Sequence, residues 1–445
     1  MKHPLITLAL LALAASPATL QAQESAPFAE PFPSSLSVAH TWNRSLAKKA
    51  GRVVGARLAR QGVKEVALPD LTVDTGKGLE GNYLSIYGQS PYLTAETGVE
   101  MVKGLQTDGQ LKAYVSIDSK EHDAPYVRPW QRVMDEAHAA GIASEAQCEA
   151  SARLRLTAPD DEEFRATALQ VARESITLLK NAGGVLPLDT AWVRTLAVDG
   201  DAPLVADMMP ALRSALPCTV ATSTGTADAI VIFEDDDIDR ARLDRLALEG
   251  KPLILVLLNS RPIDLKGIDG TATAIIEAWH PGRQGTTAIA DVLTGTYNPG
   301  GKLTAAFPGT YAFGHGLSYT GYVYRGAALD ADTLTPGGTV TARVTVKNSG
   351  AMRGAEVVQL YVADATGAPV PGGRVPQALR RFVKIDLQPG EEREIVFTLT
   401  PQDISRYSPE LHAWCAAPGR YEIRIGHSSR DIRAVLALQY ADAKI

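Results

Sequence analysis

Apolar positions in this chain fall into distinct regimes. Across residues 196–199, 229–233, 252–258 and 274–278 they form short, near-continuous runs. Such runs are the strands of a parallel sheet covered on both faces. The clearest is Ala274-Ile275-Ile276-Glu277-Ala278-Trp279, stopped by Pro281-Gly282. Residues 284–293 follow with apolar side chains on one helical face. Asn298-Pro299-Gly300-Gly301 is a turn cluster, and 303–307 is expected to return as a strand. Strand, loop, helix, turn and strand make one layer of an α/β sandwich. Beyond Tyr319 the period drops to two. Residues 339–346, 357–362, 381–385, 394–399, 421–426 and 432–438 alternate, with turns at Asn348-Ser349-Gly350 and Gln388-Pro389-Gly390. That spacing predicts a β-sandwich.

The front of the chain alternates too. A helical pattern runs through Arg60 with Asn43 as its N-cap, 66–68 is a short strand ended by Pro69-Asp70, and 76–90 reads as loop. Residues 92–106 are helical and 111–117 a strand; 125–140 and 144–156 are helical, and a further helix is expected over 161–180. This is barrel-like alternation. A closed barrel, however, takes about 250 residues and eight strands. About 150 residues are available here, and three strands can be placed. The expectation is an open αβ lobe whose sheet edges are covered by a helix, a loop or a second chain, which favours a homodimer.

Composition narrows the classes further. A net charge of −6 over 445 residues, with no basic block, leaves no electrostatic footprint for nucleic acid. Lys2 and His3, then the apolar run 5–15 and small residues to Ala22-Gln23, read as a signal peptide over 1–23. Export to a periplasm or the outside is therefore expected, with no membrane span once the leader is cut. Cys148, Cys218 and Cys415 are odd in number and far apart, which suggests buried free thiols, not a disulfide framework or metal site. No His-x-x-x-His pair and no Gly-x-Ser-x-Gly elbow occurs, and residues 295–302 are a turn rather than a phosphate loop. No cofactor or metal is expected.

Several stretches resemble glycoside hydrolase family 3, the β-glucosidase and β-xylosidase family. They are residues 271–308, Glu174-Ser175-Ile176-Thr177-Leu178-Leu179-Lys180-Asn181 closing on Leu186-Pro187-Leu188, and Phe313-Gly314-His315-Gly316-Leu317-Ser318-Tyr319-Thr320. Residues 41–51 and 85–98 resemble parts of that family's first, barrel domain, and the end of the chain its fibronectin-III-like module. The resemblance implies a multi-domain α/β plus all-β fold. Its parts are a truncated barrel-like lobe over 24–160, an αβ-sandwich over 161–322 and a fibronectin-III-like β-sandwich over 323–445. It implies hydrolysis of terminal β-O-glycosyl bonds, with a β-glucoside or β-xyloside as partner.

The site residues of the family fit this sequence poorly. Retaining glycosidases need two carboxyl groups about 5 Å apart. The family's nucleophile lies in a Ser-Asp-Trp-like motif that does not occur here. Its Lys-His pair corresponds to Ser116-Ile117, its Gly-Arg-Asn-Phe-Glu to Gly81-Asn82-Tyr83-Leu84-Ser85, and its Glu-Asp to Gln89-Ser90. Those changes remove charged groups that hold hydroxyls and steady an oxocarbenium-like transition state. The replacement nucleophile to consider is Asp118, just past a strand, weighed against a solvated loop aspartate. The acid/base candidate is Glu234, opening the run Glu234-Asp235-Asp236-Asp237-Ile238-Asp239, which equally reads as a solvated acidic face and lacks calcium-loop spacing. Three readings follow: an exported β-glycosidase, a non-catalytic glycan- or protein-binding scaffold, and a remnant without function. The first, with its own catalysis impaired or lost, is preferred.

Overall fold

The computed structural model describes residues 26–71, 73–74, 83–116, 161–365, 377–408 and 413–441. The predicted leader, the helices expected over 125–140 and 144–156, Asp118 and Cys148 all lie outside these residues.

The front lobe is built on helices α1 (Ser35–His40), α2 (Arg44–Arg60) and α3 (Pro91–Leu105), with strands β1 (Glu65–Asp70) and β2 (Lys112–Ser116). Asn43 caps α2 as its sequence predicts, its Oδ1 accepting from the Leu46 N–H at 3.1 Å. Strands β1 and β2 pair in parallel, the arrangement of consecutive barrel strands. A Cβ added at Gly51 would lie 2.2 Å from the Met101 carbonyl oxygen, and one at Gly104 2.1 Å from that of Lys48, so α2 and α3 touch backbone to backbone. Gly104→Ala is expected to destabilise the lobe by about 2–3 kcal/mol by prying the helices apart. Thermal denaturation followed by far-UV circular dichroism checks this; an unchanged midpoint refutes the close-packing account.

A helix over Glu162–Ser175 presents Phe164, Ala168 and Val171 to this lobe, while Ala172 joins the apolar cluster of the next unit. The sequence reading carried this helix to residue 180. It stops at Ser175 instead, and β3 (Thr177–Asn181) follows as an antiparallel edge strand on β8 (Ala274–Glu277). β-Branched Ile176 and Thr177 suit a strand, and pairing with β8 overrides the helical spacing.

The central sheet runs β3-β8-β7-β6-β4-β5, adding β4 (Thr195–Gly200), β5 (Thr219–Ala221), β6 (Ala229–Glu234) and β7 (Leu253–Leu257). From β5 to β8 it is parallel. Both faces are covered, which is why β6 and β7 are buried at every position. The chain leaves β4 in both directions across the sheet, so the topological switch lies between β4 and β6.

Residues 303–307 are not a strand. They form an extended strap whose backbone bonds scatter: Lys302 N–H to His40 O, Leu303 N–H to His315 O, Phe307 N–H to Tyr311 O, and Gln89 N–H to Thr304 O. The alternation there reflects burial between two units rather than a ladder.

The last unit is a two-sheet sandwich. One sheet is β14-β11-β9, from β9 (Tyr322–Leu329), β11 (Val340–Asn348) and β14 (Glu392–Leu399). The other is β10-β18-β17-β12-β13, from β10 (Thr333–Leu334), β12 (Gly354–Asp364), β13 (Gln377–Leu387), β17 (Gly419–Gly426) and β18 (Ile432–Tyr440). A small hairpin, β15 (Arg406–Ser408) with β16 (Ala413–Cys415), flanks them. Val340, Ala342, Val344 and Val346 fill the core from β11. The five-stranded sheet also packs Tyr361, Leu379 and Phe382 against Trp42, Tyr92 and Leu93 of the front lobe. Neither Cys218 nor Cys415 is in a disulfide, and both are half-buried, not fully buried as the sequence suggests.

Candidate functional site

In open α/β sheets ligands meet the carboxyl ends of the strands. Here those ends face the front lobe: Leu36, Tyr83 and Ile86 share one apolar cluster with Leu255, Leu257, Ile275, Trp279 and Phe307. The crevice between lobe and sheet is therefore where any chemistry sits.

Register places Glu234, Leu257 and Glu277 in one row across β6, β7 and β8. Glu234, the proposed acid/base, is all but buried, its side chain 3% exposed. Its Oε1 accepts from Arg242 Nη1 at 3.0 Å and its Oε2 from the Asp239 N–H at 3.4 Å. Burial pushes this carboxyl above the ordinary range; Arg242 opposes the shift, while the Asp239 and Asp235 charges add to it. The rest of the acidic run is likewise spent on local structure. Asp235 Oδ1 accepts from the Asp237 N–H, and Asp239 caps the helix Arg240–Ala247. Asp236 takes Ser260 N–H at 3.1 Å and Ser260 Oγ–H at 2.5 Å. Past the buried Glu234, Asp235, Asp237 and Asp239 are exposed, so most of the run is a solvated face, and it holds the turn after β6.

Glu277 was not singled out by the sequence reading, although a carboxylate inside an apolar strand is itself a signal. It is fully buried, and its Oε1 accepts from the Trp279 N–H at 2.7 Å. Burial pushes its pKa well above the ordinary value; the Asp236 charge adds to this, whereas the hydrogen bonds from the Trp279 N–H and from the Asn259 side chain oppose it. Glu277 Oε2 and Asn259 Oδ1 are buried without a hydrogen-bond partner among the described residues, and burial favours the protonated form of the carboxyl. Trp279 sits at φ 55°, a left-handed backbone rare for an aromatic residue. Burial lowers His280 to about 4, against the opposing Asp235 charge.

The front wall also carries carboxylates that the sequence reading passed over. Asp70 ends β1 and accepts from Ser85 Oγ at 3.0 Å. Asp74 accepts from Tyr83 Oη at 3.2 Å and Gln89 Nε2 at 2.9 Å. The rule that singled out Asp118, an acid just past a barrel strand, finds them equally well. Gln89 and Ser90, which replace the family's Glu-Asp, have structural work: Gln89 Oε1 accepts from the Ala306 N–H at 2.9 Å, and Ser90 Oγ caps α3. Among the described residues no group of three or more His, Cys, Asp or Glu side chains is placed to hold a metal. No described helix is long and apolar enough to cross a membrane.

Residues 218–329 match the glycosyl hydrolase family 3 C-terminal domain, and 356–429 the fibronectin type III-like domain. A β-xylosidase of Formosa agariphila is 29% identical over 365 residues, covering 62% of this chain and 50% of the relative. A periplasmic β-glucosidase of Salmonella typhimurium is 33% identical over 231 residues, 44% of this chain and 30% of that one. The chain thus spans half or less of the length of these two relatives. A mutant β-glucosidase from Listeria innocua in complex with laminaribiose superposes with a TM-score of 0.78 at 18% identity, covering 94% of this chain and 87% of that one, which establishes the fold. Two regions of the chain are thus similar to the family 3 C-terminal domain and to the fibronectin type III-like domain.

Proposed function

We propose that this chain is an exported family 3 homologue, directed at β-glucosides or β-xylosides, whose own hydrolysis is impaired or lost. The observation that carries this reading is the state of Glu234. A general acid must reach the leaving oxygen, and this carboxyl is instead turned into its own loop and paired with Arg242. The missing Ser-Asp-Trp motif supports the same reading from the opposite side of the reaction. The acids described on the front wall, Asp70 and Asp74, accept hydrogen bonds from Ser85, Tyr83 and Gln89.

Release of nitrophenol from aryl β-glucoside and β-xyloside is expected to stay at background, and Glu234→Gln and Asp118→Asn to leave it there. Turnover that falls in either variant would overturn the proposal. Thermal-shift screening against mono- and disaccharides then separates a glycan-binding scaffold, which is stabilised, from a remnant, which is not. Export rests on the leader-like start and is checked by cell fractionation.

A further inference from the structure

Helix α1 meets the strap through a buried imidazole. His40 ends α1 and is fully buried. Its Nδ1 lies 2.8 Å from the Leu36 carbonyl oxygen, and the Thr304 backbone N–H points to its Nε2 at 3.3 Å. The ring rests on Trp279, with centroids 4.7 Å apart. A carbonyl oxygen only accepts, so Nδ1 must carry the hydrogen; a backbone N–H only donates, so Nε2 must be bare. One protonation state satisfies both partners, the neutral Nδ1–H tautomer. Adding a proton to Nε2 sets two donors against each other in a buried site.

The neighbours offer no relief. Leu36 on the same helix, Thr304 on the strap and Trp279 after β8 bring no charge to the ring. Lys302 on the strap turns its ammonium away to Glu356. Of the nearby acids, Asp235 acts on His280 and Asp236 on Glu277, whose own pKa burial raises.

We propose that His40 is a proton-operated latch: neutral, it ties α1 to the strap at Thr304, and protonated, it releases the helix and uncovers the carboxyl edge of the central sheet. The surface uncovered includes Trp279 and His280, whose carbonyl accepts from Ser34 N–H at 3.1 Å and Ser37 Oγ at 3.2 Å while the helix is docked. Burial holds the imidazole down to about 3, with the Leu36 bond opposing. The released state titrates near the ordinary 6.5. Docking is therefore at full strength above that value and weakens tenfold per pH unit as pH falls below it, down to the folded-state value.

Hydrogen exchange of the intact chain between pH 6 and 4, corrected for the intrinsic pH dependence of exchange, tests this. Protection in α1 is expected to be lower than in β6 and β7 and to fall as pH drops, with His40 contributing about tenfold per pH unit. In His40→Gln, whose amide can donate to Leu36 and accept from Thr304 without titrating, that tenfold contribution should be lost, leaving only what the uncovered His280 adds. Equal protection of α1 and the central strands throughout overturns the latch, as does a slope unchanged in His40→Gln. If that variant fails to fold, the wild-type comparison of α1 with β6 and β7 decides alone.

Discussion

Replacing Glu356 by Gln is expected to remove about 3–5 kcal/mol from the stability of the joined central and fibronectin-like units. Glu356 is fully buried, and its carboxylate collects three donors: Lys302 Nζ at 3.1 Å, Tyr324 Oη at 2.6 Å and His427 Nδ1 at 2.6 Å. Lys302 also donates to the Gly316 carbonyl oxygen at 2.8 Å. Burial alone would raise the carboxyl. The His427 and Lys302 charges and the hydrogen bonds from His427 and Tyr324 more than reverse that and hold it down to about 2. The lysine moves against its own charge: burial pulls it below its ordinary range, with Glu356 opposing. The carboxylate's three donors therefore hold the cluster, and the buried ammonium is its expensive member.

Gln in place of Glu356 leaves that ammonium without a counter-charge. Urea unfolding followed by a probe in the fibronectin-like unit should show the loss, and Lys302→Met alone a similar one. Lys302→Met with Glu356→Leu should recover most of it, because the desolvated charges are removed together. If the single variants unfold with wild type, the cluster is not what joins the units. The wild-type advantage should be complete above the free carboxyl's range of about 4.5 and fade as pH falls toward 2.

This cluster shows what the sequence made legible and what it hid. The units were readable from period alone. Near-continuous runs marked β4, β6, β7 and β8, alternation marked β11, β14, β17 and β18, and Asn43 announced its helix; β12, read as alternating, is buried almost throughout. Those signals are local, spanning a turn or a strand. Lys302 and Glu356 lie 54 residues apart, and the sandwich pattern gave no reason to pair them. The same limit explains the strap at 303–307. Its buried alternation reports contact on two sides, and a strand produces the same pattern. It also explains Glu234. A carboxylate after a strand is where catalysis is sought, but the sequence does not show that Arg242, eight residues on, folds back onto it. The missing nucleophile motif was legible because it is a statement about residues, not their arrangement.

Glu277→Gln should stabilise the protein near neutrality. Its carboxyl is fully buried, with a pKa raised well above the ordinary value chiefly by burial. For such a group the fold favours the protonated form. The preference is fully expressed below the unfolded value of about 4.5, and stability then falls as pH rises toward the folded value, by about 1.4 kcal/mol per unit. Gln keeps an acceptor for the Trp279 N–H at nearly the same size, while the titration is removed. The variant should match wild type at pH 4 and gain about 1.4 kcal/mol on it between pH 5 and 6 in denaturant unfolding. His40, His280 and His315, all lowered chiefly by burial, destabilise both proteins alike as pH falls below 6.5, so they cancel in the difference. A difference that does not grow with pH means that Glu277 is ionised in the fold, and Oε2 then takes its donor from somewhere other than its own proton.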